Sequence, residues 1–111
     1  MDILKEISQY EVYWISFDPT QGSEIAKTRA CAIISPNEMN QFLRTVVVIP
    51  IISTIKTYPW HVQCIISGKQ GAMATDQIKV ADKARIGSKM GMLSESEVTN
   101  LKDVLQRMLI D

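Results

Sequence analysis

Ser23, Glu24, Lys27, Thr28 and Arg29 crowd one stretch of the chain. By spacing alone this is a solvated polar loop, but the chemistry it could support is narrow. Cleavage of RNA by attack of its own 2′-hydroxyl needs no metal. It needs a base near that hydroxyl, a cation on the phosphorane oxygens, and a proton donor for the leaving 5′-oxygen. A glutamate and an arginine five residues apart, at the end of a loop and the start of a strand, could supply the first two.

Other chemistries find little support. The chain carries neither a phosphate-binding P-loop nor a dinucleotide fingerprint, and His61, its single histidine, has no second imidazole for a zinc pair. A Ser-His-Asp triad would have to use His61. Its setting in WHVQCII, beside a strand core, favours a surface or packing role. The carboxylates show no metal-ligand spacing, so no metal and no cofactor are expected. Cys31 and Cys64 both lie inside apolar runs and read as small buried hydrophobes.

The elements that must position the polar loop are mostly strands. EVYWISF, residues 11–17, is rich in β-branched and aromatic residues and reads as a strand entering the loop. Asp18-Pro19 and Gly22 mark the loop's turns, and RACAIIS, residues 29–35, reads as the strand leaving it, stopped by Pro36. Residues 1–9 form either a short amphipathic turn or a loose lead-in, and residues 37–43 one or two turns of helix. TVVVIP, residues 45–50, is a buried strand, and residues 53–59 connect it to a strand over 60–67, closed by Gly68 and Gly71. A shorter strand is expected at 72–75, a helical turn at 81–85 and a last strand at 86–92. Ser94 and Glu97 form a capping box that opens a helix. Val98, Leu101, Val104, Leu105, Met108 and Leu109 make its apolar stripe, which should pack on the domain's own sheet. Short strands separated by turns, with one helix at the end, suggest a small barrel or curled sheet.

The 111 residues suit one domain, 1–111, large enough for a core of its own. Twelve basic and twelve acidic residues cancel, so affinity for a polyanion must come from a local cluster. No cationic-then-apolar leader opens the chain, and its longest apolar run, residues 46–52, is far too short to span a bilayer. A cytoplasmic protein with no membrane partner is expected.

Four ordered blocks resemble the MazF/PemK/Kid toxin family. FDPTQGSEIAKTRACAIISP resembles its strand ending in DPT, then G-x-E, a spacer, an arginine and an apolar strand ending in SP. VVVIPIISTIKTYPWHV resembles its buried strand, P-x-T-S/T turn and YPF segment. GAMATDQIKVADKARIG resembles its G-x-A-x-x-DQ stretch, and the helix after LSESE matches in place and length. The similarity spans about residues 10–110. It implies a mainly β, SH3-like small barrel of the MazF/Kid/CcdB type with a C-terminal helix, assembled as a symmetric homodimer. The implied activity is that of a type II toxin: sequence-specific, metal-independent cleavage of single-stranded mRNA, leaving a 2′,3′-cyclic phosphate and a 5′-hydroxyl. A cognate MazE-like antitoxin would block the site. Glu24, Arg29 and Ser53 stand at the implied catalytic positions. Thr20, Lys27, Thr28, Thr54, Lys56, Asp76 and Gln77 stand on the implied substrate-binding surface.

The chain also departs from the pattern. Ile52 stands where the turn usually carries a threonine hydroxyl, leaving Ser53 or Thr54 to take its place. Strand alternation predicts Ile52 packing inward and Ser53 facing the groove beside Arg29. Ala30 replaces the proline after the arginine, and Tyr10 the glycine that opens the first strand, both changes of a structural kind. Ala74 replaces an arginine of the Kid subgroup, whose first-loop histidine is also absent. Two alternatives stay open: a non-enzymatic CcdB-like toxin acting on DNA gyrase, and a catalytically weakened binding protein. Glu24, Arg29 and Ser53 argue against the first, and Ile52 keeps the second in view.

Overall fold

Alternation of β-branched and aromatic residues makes Glu11–Phe17 the first strand, β1, and gives it two buried faces. Val12 joins one apolar cluster and Tyr13 and Ile15 the other. A computed structural model of the chain describes residues 6–17, 27–53 and 58–111, with Lys27 by its backbone only. The strands that follow are β2 (Lys27–Ile33), β3 (Thr45–Ile52), β4 (Val62–Ile66), β5 (Lys69–Met73), β6 (Lys79–Asp82) and β7 (Ile86–Met92). A short helix, α1 (Asn37–Phe42), joins β2 to β3, and α2 (Glu95–Leu109) closes the described chain. The fold is mainly β: a curled antiparallel sheet in the order β4-β5-β3-β2-β1-β7, with β6 on β3 and the long helix at the end.

The sheet separates two cores. Val12, Ala32, Ile49, Val62, Cys64, Ile66 and Met73 pack with Leu101 and Val104 of α2, flanked by Val98 and Leu105. This part of the helix's apolar stripe docks on the sheet as expected, while Met108 and Leu109 stay exposed. Burying a leucine such as Leu101 contributes about 2 kcal/mol. On the other side lie Ile15, Cys31, Ile33, Val46, Val48, Ala81 and Ile86. Ser94 accepts a hydrogen bond from Glu97 N–H at 3.2 Å, and Glu97 Oε1 accepts one from Ser94 N–H at 2.8 Å, completing the capping box.

Several sequence boundaries shift. β2 begins at Lys27 and ends at Ile33, two residues ahead of the expected span. Trp60 lies in a turn, not in β4. Ser67 (φ 51°) and Gly68 (φ 79°) form a two-residue hairpin turn, and β5 starts at once at Lys69, so Gly71 lies inside a strand. β6 was not anticipated; it pairs with β3 from Thr45↔Asp82 to Val48↔Lys79. The expected helical turn over 81–85 is split between the end of β6 and a 3-10 turn at Lys83–Arg85.

Two positions show why the family pattern carries the residues it does. Tyr10 has φ 74°, a left-handed backbone that glycine adopts without cost, which accounts for the usual glycine there. The other edge of β3 changes partner along its length, pairing with β6 at 45–48 and with β5 at 51–52. Pro50 sits at that change, where its carbonyl accepts from Ala74 N–H at 2.9 Å and no ladder donor is required of it.

Candidate functional site

The β2–β3 ladder runs from Ile33↔Val48 to Cys31↔Pro50 and stops. Two residues further along the two strands stand Arg29 and Ile52; one further again stand Thr28 and Ser53. Past Pro50, β3 pairs with β5 instead, at Ile51↔Met73 and Ile52↔Ala72. Between the ends of β2 and β3 lies a pocket of about 240 Å³ that Thr28, Arg29 and Ser53 line together. Trp14, Ile51, Ile66 and Met90 give it an apolar floor and sides.

Arg29 lies on the β2 face that also carries Cys31 and Ile33, because side chains alternate along a strand. Cross-strand partners share a face, so Val48 and its partner Lys79 belong to the same side. The electrostatics agree. Burial pushes the Cys31 thiol up to about 12, and the positive charges of Lys79 and Arg29 pull the other way. Both cations therefore act on one buried sulfur. Lys79 also places its Nζ 4.9 Å from the centre of the Phe17 ring. The result is a local positive patch on a chain with no net charge.

Ile51 is the isoleucine that packs against the helix-side core; Ile52 does not join either cluster. The expected division, Ile52 inward and Ser53 alone beside Arg29, is not what the strand shows. Ile52 is half-buried like Ile51, and alternation puts Ile52 rather than Ser53 on the strand face that Arg29 shares, while both residues border the pocket. Ser53 is exposed, as expected, and borders the same pocket as Arg29.

Asp76 and Gln77 occupy a 3-10 turn, Thr75–Gln77, between β5 and β6. They do not line the Arg29 pocket. Ala74, tied to Pro50, anchors their turn on the far edge of β3. Asp76 Oδ1 lies 3.0 Å from His61 Nε2, and the histidine side chain is only 4% exposed against 49% for the aspartate. The sequence had read His61 as a packing or surface residue and missed this partner; Lys79 was missed as a cation of the Arg29 face. Thr20, Glu24, Thr54 and Lys56, and the side chain of Lys27, lie outside the described residues. Among the described residues, no three His, Cys, Asp or Glu side chains gather as a metal site, and no helix is long and apolar enough to cross a membrane.

The whole fold and most of its sequence find relatives. Residues 8–109 match the family model described as PemK-like, MazF-like toxin of type II toxin-antitoxin system. This chain belongs to that family. The Escherichia coli K12 protein named endoribonuclease toxin MazF is 33% identical over 95 residues, covering 83% of this chain and 84% of the relative. The Staphylococcus epidermidis endoribonuclease MazF is 30% identical over 105 residues, covering 89% and 88%. A Deinococcus radiodurans MazE-MazF crystal structure superposes with a TM-score of 0.82 at 21% identity, over 97% of each chain. At that identity the structural likeness speaks for the MazF fold, and the family match for the toxin class.

Proposed function

We propose that this chain, an endoribonuclease toxin of the MazF kind, cuts single-stranded mRNA at a short specific word without metal. The 2′-hydroxyl of the nucleotide 5′ of the cut attacks the adjacent phosphorus, and the 5′-oxygen of the next nucleotide leaves. The products are a 2′,3′-cyclic phosphate and a 5′-hydroxyl. Glu24 takes the proton of the 2′-hydroxyl, and Arg29 neutralises the phosphorane oxygens and protonates the leaving oxygen. Ser53 supplies the hydroxyl that Ile52 lacks. Thr28 lines the same pocket, and Thr20, Lys27, Thr54 and Lys56 grip the backbone nearby. Asp76 and Gln77 contact the RNA further along.

The observation that carries this reading is the shared pocket of Arg29 and Ser53 at the point where β2 and β3 part. It joins a cation and a hydroxyl in one pocket that Lys69 also lines, as transfer on a phosphodiester requires. A domain this small offers little surface to hold several nucleotides, so the RNA lies in a groove shared by the two subunits of a symmetric homodimer. A MazE-like antitoxin occupies that groove and keeps the enzyme silent. The toxin acts in the cytoplasm, where its mRNA substrate is. The match to the PemK-like, MazF-like model weighs against the gyrase-poisoning alternative.

The test is cleavage of a long synthetic RNA in EDTA, with both new ends mapped, and repetition with a single 2′-deoxy nucleotide 5′ of the cut. Cleavage should persist in EDTA and stop at the deoxy position. Loss in EDTA with recovery on adding magnesium would overturn the mechanism. Sedimentation at micromolar concentration should give a dimer; an efficient monomeric nuclease would remove the shared groove.

A further inference from the structure

His61 is buried at a cost that packing alone does not explain. Its side chain is 4% exposed, yet among the described residues Nδ1 has no hydrogen-bond partner, and it has no access to solvent. A buried polar atom left unsatisfied is destabilising, and an apolar side chain of similar size would fill the space without that loss. The ring's other nitrogen gives the reason for its presence: Nε2 lies 3.0 Å from Asp76 Oδ1. An ionised carboxylate only accepts, so Nε2 carries the hydrogen and donates it.

We propose that His61 is a positioning residue that fixes the carboxylate of Asp76 for contact with RNA, an inference that rests on Asp76 being part of the RNA surface. The surroundings make the imidazole a rigid support. The Tyr58 ring stands edge-on to it at 5.1 Å and 77°, and the Trp60 ring at 6.1 Å and 85°. Tyr58 and Trp60 stack on each other at 4.8 Å. His61 N–H donates to the Tyr58 carbonyl at 3.0 Å, and the Thr75 hydroxyl donates to the Trp60 carbonyl, joining this turn to the one that carries Asp76. Asp76 itself stays half exposed.

A carboxylate repels phosphate, so on a surface that binds a polyanion its use is to accept a hydrogen bond from an N–H on a base edge, such as the amino group of cytosine. Such a contact specifies sequence where a cation would only add affinity. An unsupported surface aspartate would lose rotamer freedom on binding; one already held by a buried imidazole has lost it on folding. His61 thus acts on RNA through Asp76 and does not touch it.

The experiment is a double-mutant cycle on the full-length toxin, reading kcat and KM for the mapped RNA, with thermal melts of each variant. Asp76→Ala should raise KM by roughly tenfold, the size of one lost charge-assisted hydrogen bond. His61→Leu should raise KM by a similar factor and leave kcat nearly unchanged. His61→Gln, which keeps an N–H donor, should recover most of the loss. In the Asp76→Ala background, His61→Leu should add nothing. A full His61→Leu effect in that background, a silent His61→Leu, or a His61→Gln no better than His61→Leu would each overturn the positioning role. If Asp76→Ala itself changes neither KM nor kcat, the assignment of Asp76 to the RNA surface is what fails. Imidazole nitrogen NMR of the unmodified toxin gives a readout independent of RNA and of variant folding: Nε2 should carry the proton in the neutral ring, and an Nδ1-protonated ring would refute the proposal.

Discussion

Glu97 accepts the backbone N–H of Ile65 through Oε2 at 2.8 Å, while its Oε1 accepts the N–H of Ser94 at 2.8 Å. One carboxylate thus caps α2 and ties its first turn to β4. The two donors are of different kinds, one a free helix-end N–H and the other an N–H on a sheet edge. Glu97→Ala removes acceptors for both and should cost about 1.5 kcal/mol, which in a domain of this size lowers the melting temperature by roughly 6 °C. Differential scanning calorimetry checks it. An unchanged melting temperature would mean that water replaces both bonds without loss.

Arg29→Ala should leave a folded protein that no longer cuts RNA at a useful rate. A cation that acts on charge developed only in the transition state is worth about 2.7–4 kcal/mol, two to three decades in rate. Single-turnover cleavage of the mapped RNA reads this directly. Near-normal rates would remove Arg29 from the mechanism.

Ser53 and Thr54 present adjacent hydroxyls, and Ser53 borders the Arg29 pocket. Ser53→Ala should reduce cleavage sharply and Thr54→Ala should reduce it less. Full activity in both variants would assign Ser53 to closing the turn onto backbone, a common use of serine. Glu24 and Arg29 would then be the remaining candidates for the chemistry.

Acid should weaken the fold through Glu11. Burial raises its pKa, but the Lys89 ammonium at 2.8 Å, the Ser8 N–H and the Tyr13 hydroxyl outweigh that and set it below the ordinary value of 4.5. A depressed folded-state pKa contributes stability that is complete above the unfolded value and lost as pH falls through the folded one. Denaturant melts of the wild type and Glu11→Gln should therefore differ at neutral pH and converge below about 4.5. A gap that persists undiminished in acid would show that charge at Glu11 is not what stabilises.

What the sequence revealed and concealed follows from how local each signal is. β1, β7 and α2 announce themselves through periodicity and a capping box, all within a few residues of chain. β6 does not: of Lys79, Val80, Ala81 and Asp82, Ala81 alone is buried, and the strand exists because β3 offers an open edge. The same holds for the site. Arg29 and Ser53 could be named from motif order, and they meet at one pocket. Lys79 and His61 could not be given their partners, because those contacts cross the sheet or join separate turns. Residue type alone cannot tell a structural histidine from one that holds an aspartate.

Gly71 has no functional group, yet it lines the Arg29 pocket beside Ile51 and Ile52 at the end of β3. A Cβ there would meet Ile51 Cγ2 at 2.8 Å and the Ile52 carbonyl oxygen at 3.2 Å. The first contact is with a β-branched side chain and the second with backbone, so neither can swing aside cheaply. Any side chain at position 71 must displace the end of β3 and so change the wall of the Arg29 pocket. A genetic selection for cells that survive production of this toxin should then recover substitutions at Gly71 alongside those at Arg29, and the survivors would carry folded protein with a displaced pocket wall.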